Sequence, residues 1–242
     1  MGSLASDLTL IFESAMTKFL STDVDLARKL DAEDELASFR NEFVIDDPNL
    51  IYLDGNSLGR LPKRSIDFMK NAIEEEWGKR LIRVWNDGWV NTPIELGAKI
   101  AKLVGAEADE ILVTEATSIN LFKLAVAALE ARPGRREIIS DEFNFPSDLY
   151  ILQGIIELLG DKHQLKLISS EDSIRISPEA VQKSINENTA LVSLTHVAFK
   201  SAFMYDMKKV TKMAHRSGAL MLWDLSHSVG AVPLDLNGYN VD

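Results

Sequence analysis

From Ile94 onward, short apolar runs alternate with amphipathic segments of about ten to fifteen residues, and this alternation limits the possible folds more than any other feature of the chain. The runs are Glu110–Thr114, Arg136–Ser140, Gln164–Ile168, Ala190–Leu194 and Ala219–Trp223, each of strand length. Helices are expected over Ile94–Val104, from Thr117 through L-F-K-L-A-V-A-A-L, over Leu149–Leu159, within Ile174–Asn186 and over Met207–Arg216. Local chemistry supports these boundaries. Pro146 and Pro178 suit first turns, Ser177 suits a cap, and Gly105 and Gly218 follow last turns. Strands buried on both faces read as nearly continuous apolar runs, and a helix between consecutive strands makes them parallel neighbours. The expected fold class is therefore α/β, a three-layer α/β/α domain around a mainly parallel sheet.

The last run delivers a carboxylate to a strand tip. In A-L-M-L-W-D-L-S-H-S-V-G, Ala219–Gly230, the apolar residues stop at Asp224, and His227 follows three positions later. Ligands of open α/β sheets bind beyond the carboxyl ends of the strands, so Asp224 is placed either to meet a ligand cation or to cap the next turn. Thr195 and His196 end the preceding run in the same way. At the start of the Thr117 helix, free N–H groups beside two hydroxyls, Thr117 and Ser118, suit an anion, although Ser and Thr are also ordinary caps. Phe145 stands just ahead of Pro146, where it can stack on a flat ring or enter the core.

Earlier segments are less informative. Leu8, Ile11, Phe12, Met16, Phe19 and Leu20 suggest a weakly helical segment or a docking arm, and Asp25–Phe43 has a near-helical pattern with an acidic face. Leu50–Leu53 is an expected strand entering D-G-N-S-L-G, where Gly55 and Gly59 permit φ > 0 and a tight loop could present Asn56 and Ser57. Pro62 opens a helix whose stripe of Ile66, Met69, Ile73 and Trp77 is expected to be core. A loop-like stretch between Trp77 and Pro93 contains Trp85 and Trp89, which either pack on an aromatic ligand or close the core.

Charge and composition exclude several classes of function. The 37 acidic against 26 basic residues give a net charge of −11, which opposes binding to a phosphate backbone. There is no cysteine, and four scattered His provide no metal-ligand spacing. No apolar window reaches the roughly 18 residues of a membrane span, and no secretory signal is visible, so the expectation is a cytoplasmic protein without nucleic-acid, metal or membrane partners.

Five segments in order resemble the kynureninase family of fold-type I, pyridoxal 5'-phosphate (PLP)-dependent hydrolases. They are Y-L-D-G-N-S-L-G (Tyr52–Gly59), E-A-T-S-I-N-L (Glu115–Leu121), F-N-F-P-S-D (Phe143–Asp148), T-H-V-A-F-K-S (Thr195–Ser201) and W-D-L-S-H-S-V-G-A-V-P-L-D-L (Trp223–Leu236). The resemblance implies an N-terminal helical segment over 1–49 and part of a PLP-binding large domain over 50–242, incomplete at its C-terminus and without the small domain. It also implies that Thr117 and Ser118 hold the cofactor phosphate, Phe145 stacks on its ring, and Asp148, Thr195, Asp224 and His227 complete its shell. Asn56, Ser57, Trp85 and Trp89 are its candidates for substrate contact. The implied reaction cleaves L-kynurenine or its 3-hydroxy form to alanine and an anthranilate, in tryptophan catabolism leading to NAD. A homodimer when complete, or a complementing C-terminal chain, is the implied partner.

No catalytic residue is assigned, because no lysine here matches the family's Schiff-base position; Lys200 is a peripheral loop residue. The fragment alone is accordingly expected to be inactive. Alternatives are another fold-type I enzyme, such as a class V aminotransferase or cysteine desulfurase relative, and a non-catalytic remnant that binds a phosphate ligand or a protein. A further departure is Ala202, where the family pattern calls for glycine after F-K-S; if that glycine needs φ > 0, a shifted loop is expected.

Overall fold

The computed structural model describes residues 23–242, so the expected segment around Leu8–Leu20 lies outside the described residues. The chain divides into two compact units, the second beginning at Ile82. In the first, α1 (Val24–Glu33) is capped by Asp23, whose side chain accepts from the Asp25 N–H, and a short 3-10 turn spans Ala37–Glu42. Pro62 precedes α2 (Lys63–Asn71), which continues as wide helical turns over Ala72–Arg80. Two expectations fail in this unit. Leu50–Leu53 forms no strand, and the stripe of Ile66, Met69, Ile73 and Trp77 is exposed rather than buried.

The second unit carries the α/β architecture. A helical turn over Leu81–Arg83, where the chain passes from the first unit to the second, and another over Trp85–Trp89 replace the expected loop, and Trp85 and Trp89 are exposed, against the core alternative. Then follow α3 (Thr92–Val104), α4 (Thr117–Glu130), β1 (Glu137–Asp141), α5 (Pro146–Leu158), β2 (Gln164–Ile168), α6 (Pro178–Ser184), β3 (Thr189–Thr195), α7 (Met207–Arg216) and β4 (Leu220–Asp224). The four strands pair in parallel in the order β2-β1-β3-β4.

Period-two alternation divides the core into two layers. Ile138 and Leu191 face α4 and α5, where they meet Ala125, Leu129, Leu152 and Ile155. Ile139 and Val192 face the other way, toward Val181 of α6 and Val210 and Ala214 of α7. All these side chains are essentially inaccessible, which accounts for the continuous apolar strands in the sequence. At the amino ends of the strands, Arg135 Nη1 donates to the carbonyls of Thr189 (2.8 Å) and Ser217 (2.6 Å), tying the β3 and β4 entries together.

Ile111–Thr114 has no regular secondary structure and pairs with no strand among the described residues. It is held instead against α3, where Val113 N–H donates to Pro93 O at 3.4 Å. An apolar run of strand composition becomes a strand only when another backbone supplies its ladder partners.

Ala202 adopts φ +57, so the loop keeps a left-handed residue at this position although it is not glycine. Such a conformation costs an L-residue roughly 1 kcal/mol that glycine avoids. Ala202→Gly is therefore expected to stabilise the fold by about 1 kcal/mol, against the usual direction of an Ala-to-Gly change. A urea midpoint that falls instead would mean that the loop does not hold this conformation in solution.

Candidate functional site

Parallel pairing brings every strand's carboxyl end to one edge of the sheet. In the β3–β4 register Thr195 sits opposite Asp224, and His196 N–H donates to Asp224 O at 2.9 Å, extending the ladder by one step. Thr195 is buried, and its hydroxyl donates to Val197 O at 3.2 Å. Asp224 is half-buried. Its Oδ1 accepts from the Ser226 N–H (2.8 Å) and hydroxyl (2.6 Å), so one carboxylate oxygen does cap the following turn. That turn carries a half-buried His227. His196 is a core residue, with Nε2 3.2 Å from Tyr205 O and its ring edge-on to Trp223; burial holds its pKa below the usual range.

A polar network beneath the edge positions the next group. Asp141, the last residue of β1, is buried; it accepts from Phe143 N–H at 2.7 Å and from the Tyr205 hydroxyl. Burial raises the Asp141 pKa, and burial together with the Asp141 charge pushes the Tyr205 hydroxyl far up, so Tyr205 remains a donor. Asn144 donates to Ser140 Oγ at 3.0 Å while its Oδ1 accepts from Phe145 N–H at 2.8 Å. The effect is to hold Phe145, 44% exposed, at the amino end of α5.

One turn into α5, Asp148 is 3% exposed. Its Oδ1 accepts a long bond from Ser147 Oγ at 3.4 Å, and its buried Oδ2 has no partner among the described residues. Burial, and secondly the negative charge of Asp224, push its pKa up to about 6. A buried carboxylate oxygen that feels another negative charge is costly unless a donor or cation meets it.

The Asp148 shift has a definite sign. A folded pKa raised from 3.8 to about 6 favours the folded state fully below pH 3.8, and this contribution is lost as pH rises through 6. Asp148→Asn is expected to remove that loss and stabilise the protein at pH 7.5 by about 2–3 kcal/mol, with little effect at pH 4. Urea unfolding of both proteins at the two pH values tests this, and equal differences at both would refute it.

The start of α4 lies at the same edge, because α4 runs back to the beginning of β1. Its cap position is Ala116, with no side-chain bond to the first turn, so Thr117 and Ser118 lie inside the helix and are not its caps. Thr117 is exposed and Ser118 half-buried. Uncapped N–H groups and two hydroxyls at a helix start suit an anion.

A profile of the class-V aminotransferase family matches residues 51–242. The chain belongs to this family. As a class-V aminotransferase family member it is 44% identical over 218 residues to a kynureninase of Pseudomonas fluorescens, covering 88% of this chain and 50% of that protein. It is 45% identical over 221 residues to a kynureninase of Burkholderia mallei strain SAVP1, covering 89% and 51%. The chain thus spans about half the length of the curated relatives it matches. Among solved structures, a cysteine desulfurase from Escherichia coli aligns with TM-score 0.68 at 16% identity, covering 86% of this chain and 53% of that one. One from Thermococcus onnurineus NA1 aligns at 0.64 and 22%, covering 89% and 51%; at these identities the likeness concerns the fold.

Within this class-V aminotransferase fold the structure gathers some expected residues and leaves others apart. Thr195 and Asp224 are cross-strand neighbours, Asp148 is electrostatically coupled to Asp224, and Phe145 shares the α5 start with Asp148. Asn56 and Ser57 belong to the first unit. Neither Gly55 nor Gly59 has positive φ, so the freedom these glycines permit is not used, and Ser57 Oγ donates to Asp54 Oδ1 at 2.7 Å. Sequence reasoning missed Asp141, Asn144 and Tyr205. Asp141 carried the same signal as Asp224, an acidic residue ending an apolar strand; the other two reveal themselves only by contact.

Proposed function

We infer that this chain supplies the cofactor-binding part of a kynureninase-type, PLP-dependent hydrolase acting on L-kynurenine or 3-hydroxykynurenine. The products would be L-alanine and anthranilate or 3-hydroxyanthranilate. The observation that carries the cofactor reading is the buried Asp148 Oδ2, which has no partner among the described residues and feels the charge of Asp224, since two carboxylates within electrostatic reach of each other call for a positively charged donor. The residues at the edge fit PLP: Asp224 and Asp148 would hold a protonated ring nitrogen, and Phe145 would cover a ring face. Thr117 and Ser118, with the first-turn N–H groups, would take the phosphate. Thr195 and His227 would border the ring. The substrate reading is supported by the 44–45% identity to kynureninases.

When bound, PLP supplies an electron sink for the bonds around the substrate's amino-acid carbon. The chain's own residues bind and orient. Asp224 would keep a ring nitrogen charged, the buried strand tips would exclude water, and the α4 start would fix a phosphate end. No residue of the chain is assigned as the catalytic lysine. On this reading residues 50–242 are part of a large domain that follows an N-terminal segment over 1–49. The complete protein is a cytoplasmic homodimer or joins a complementing chain, and Asn56, Ser57, Trp85 and Trp89 are its candidates for substrate contact.

The test is equilibrium titration with PLP. Thr117→Ala with Ser118→Ala should weaken binding about tenfold, as expected for two lost hydrogen bonds at the low end of net strength, together ~1.4 kcal/mol, with an unchanged thermal midpoint. Unchanged affinity would leave the turn as a helix start and nothing more. For the substrate, anthranilate fluorescence should appear when L-kynurenine is added to the complete protein with PLP, and its absence would limit the proposal to cofactor binding.

A further inference from the structure

The rings of Phe145 and Phe199 meet edge to face, with centroids 5.2 Å apart and planes at 69°. Both are partly open to solvent, at 44% and 38% exposure, so burial by the core does not account for the pairing. The two come from separate strand ends: Phe145 follows β1 and Phe199 follows β3. Each is held by its own backbone. Asn144 Oδ1 fixes the Phe145 N–H at 2.8 Å, and Ala198 N–H donates to Phe203 O while Ala202 N–H donates to Ala198 O, both at 2.8 Å. The left-handed φ of +57 at Ala202 lies within the loop that these bonds close. The Lys200 ammonium sits 5.5 Å from the Phe199 ring centroid and restrains that ring further.

We propose that Phe199 is a positioning residue, whose edge-to-face contact sets the plane of Phe145 for stacking on a flat heteroaromatic ring. This inference rests on the proposed function in taking that ring to be the cofactor's. A phenylalanine at an exposed helix start has more than one rotamer open to it, and stacking requires one of them. Holding Phe145 in that rotamer before the ring arrives removes an ordering cost from binding. Phe199 itself need not touch the ligand.

The probe is pyridoxamine 5'-phosphate, which has no aldehyde and so binds without a lysine. Two readouts are needed on the parent chain and its variants: the dissociation constant, and the induced circular dichroism per bound ring, which reports ring orientation. Phe199→Leu should weaken binding about three- to tenfold and reduce the induced signal, whereas Phe199→Tyr should preserve both. In a Phe145→Leu background the Phe199→Leu change should add less than about twofold, because its effect passes through Phe145. An equal loss in both backgrounds would make Phe199 a general support of the loop and overturn the proposal. Parent-like affinity and signal in Phe199→Leu, with Phe145→Leu impaired, would overturn it while leaving the proposed function standing. If the parent chain binds no pyridoxamine 5'-phosphate, both fall together.

Discussion

Asp224→Asn is expected to weaken PLP binding by roughly fifty- to a hundredfold while leaving the fold intact. Removing one partner of a fully buried ion pair costs about 3–5 kcal/mol, and the half-buried setting of Asp224 reduces this toward 2–3. Asparagine is the informative replacement because its Oδ1 can still accept from the Ser226 N–H and hydroxyl, which hold the turn at 2.8 and 2.6 Å. Asp224→Ala removes charge and turn together, so any additional loss it shows measures the cap. Asp148 limits the effect: with a pKa of about 6 it is already ionised at pH 7.5 and remains as a second countercharge when Asp224 has lost its own. The Asp148→Asn, Asp224→Asn double variant should therefore lose more than the sum of the single changes. Equilibrium titration at pH 7.5 decides the matter. Binding within threefold of the parent in Asp224→Asn would remove Asp224 from the cofactor site.

Gly97→Ala should destabilise the second unit by about 2 kcal/mol, although alanine is the better helix former by roughly 1 kcal/mol. Gly97 lies in the buried face of α3, and a Cβ built there would stand 2.0 Å from Ile111 O and 2.8 Å from Ile111 C. Both obstacles are backbone, so no side chain can swing aside. Either α3 or the Ile111–Thr114 segment must move, and the segment is the weaker of the two because it has no strand partner among the described residues. Its displacement would reach the start of α4, which begins three residues later at Thr117. Urea unfolding gives the energy, and hydrogen exchange locates it. Already in the parent, Ile111–Thr114 should exchange faster than Leu191–Leu194 or Ala219–Trp223, and in Gly97→Ala the gap should widen. An increase in stability would show that helix propensity outweighs the contact and that α3 does not lie so close to this segment.

Where a boundary depends on neighbouring residues, the sequence by itself determined it. β2 occupies Gln164–Ile168 and α7 occupies Met207–Arg216 as the pattern indicates, and Ser177 caps α6 by accepting from Ala180 N–H at 3.1 Å. Apolar period, proline and cap chemistry act within a few residues and need no partner. The parallel α/β class was legible for the same reason, since alternating strands and helices leave few other ways to bury both faces of a sheet. Asp224 was visible as a carboxylate at a strand tip, and the resemblance of five short segments supplied the roles expected of the residues around it.

Tertiary structure decided what depends on distant partners. Leu50–Leu53 and Ile111–Thr114 have the composition of strands and are not strands, because a ladder needs a second backbone that composition cannot announce. Trp77, Trp85 and Trp89 are exposed for a similar reason: an apolar stripe becomes core only when another element covers it. The coupling of Asp148 to Asp224, the Asp141–Tyr205 bond across 64 positions of sequence and the Phe145–Phe199 contact join residues from separate strand ends. Hydrophobic period and capping are carried by the local chain, whereas pairing, desolvation and ring contacts are set by which elements the fold brings side by side.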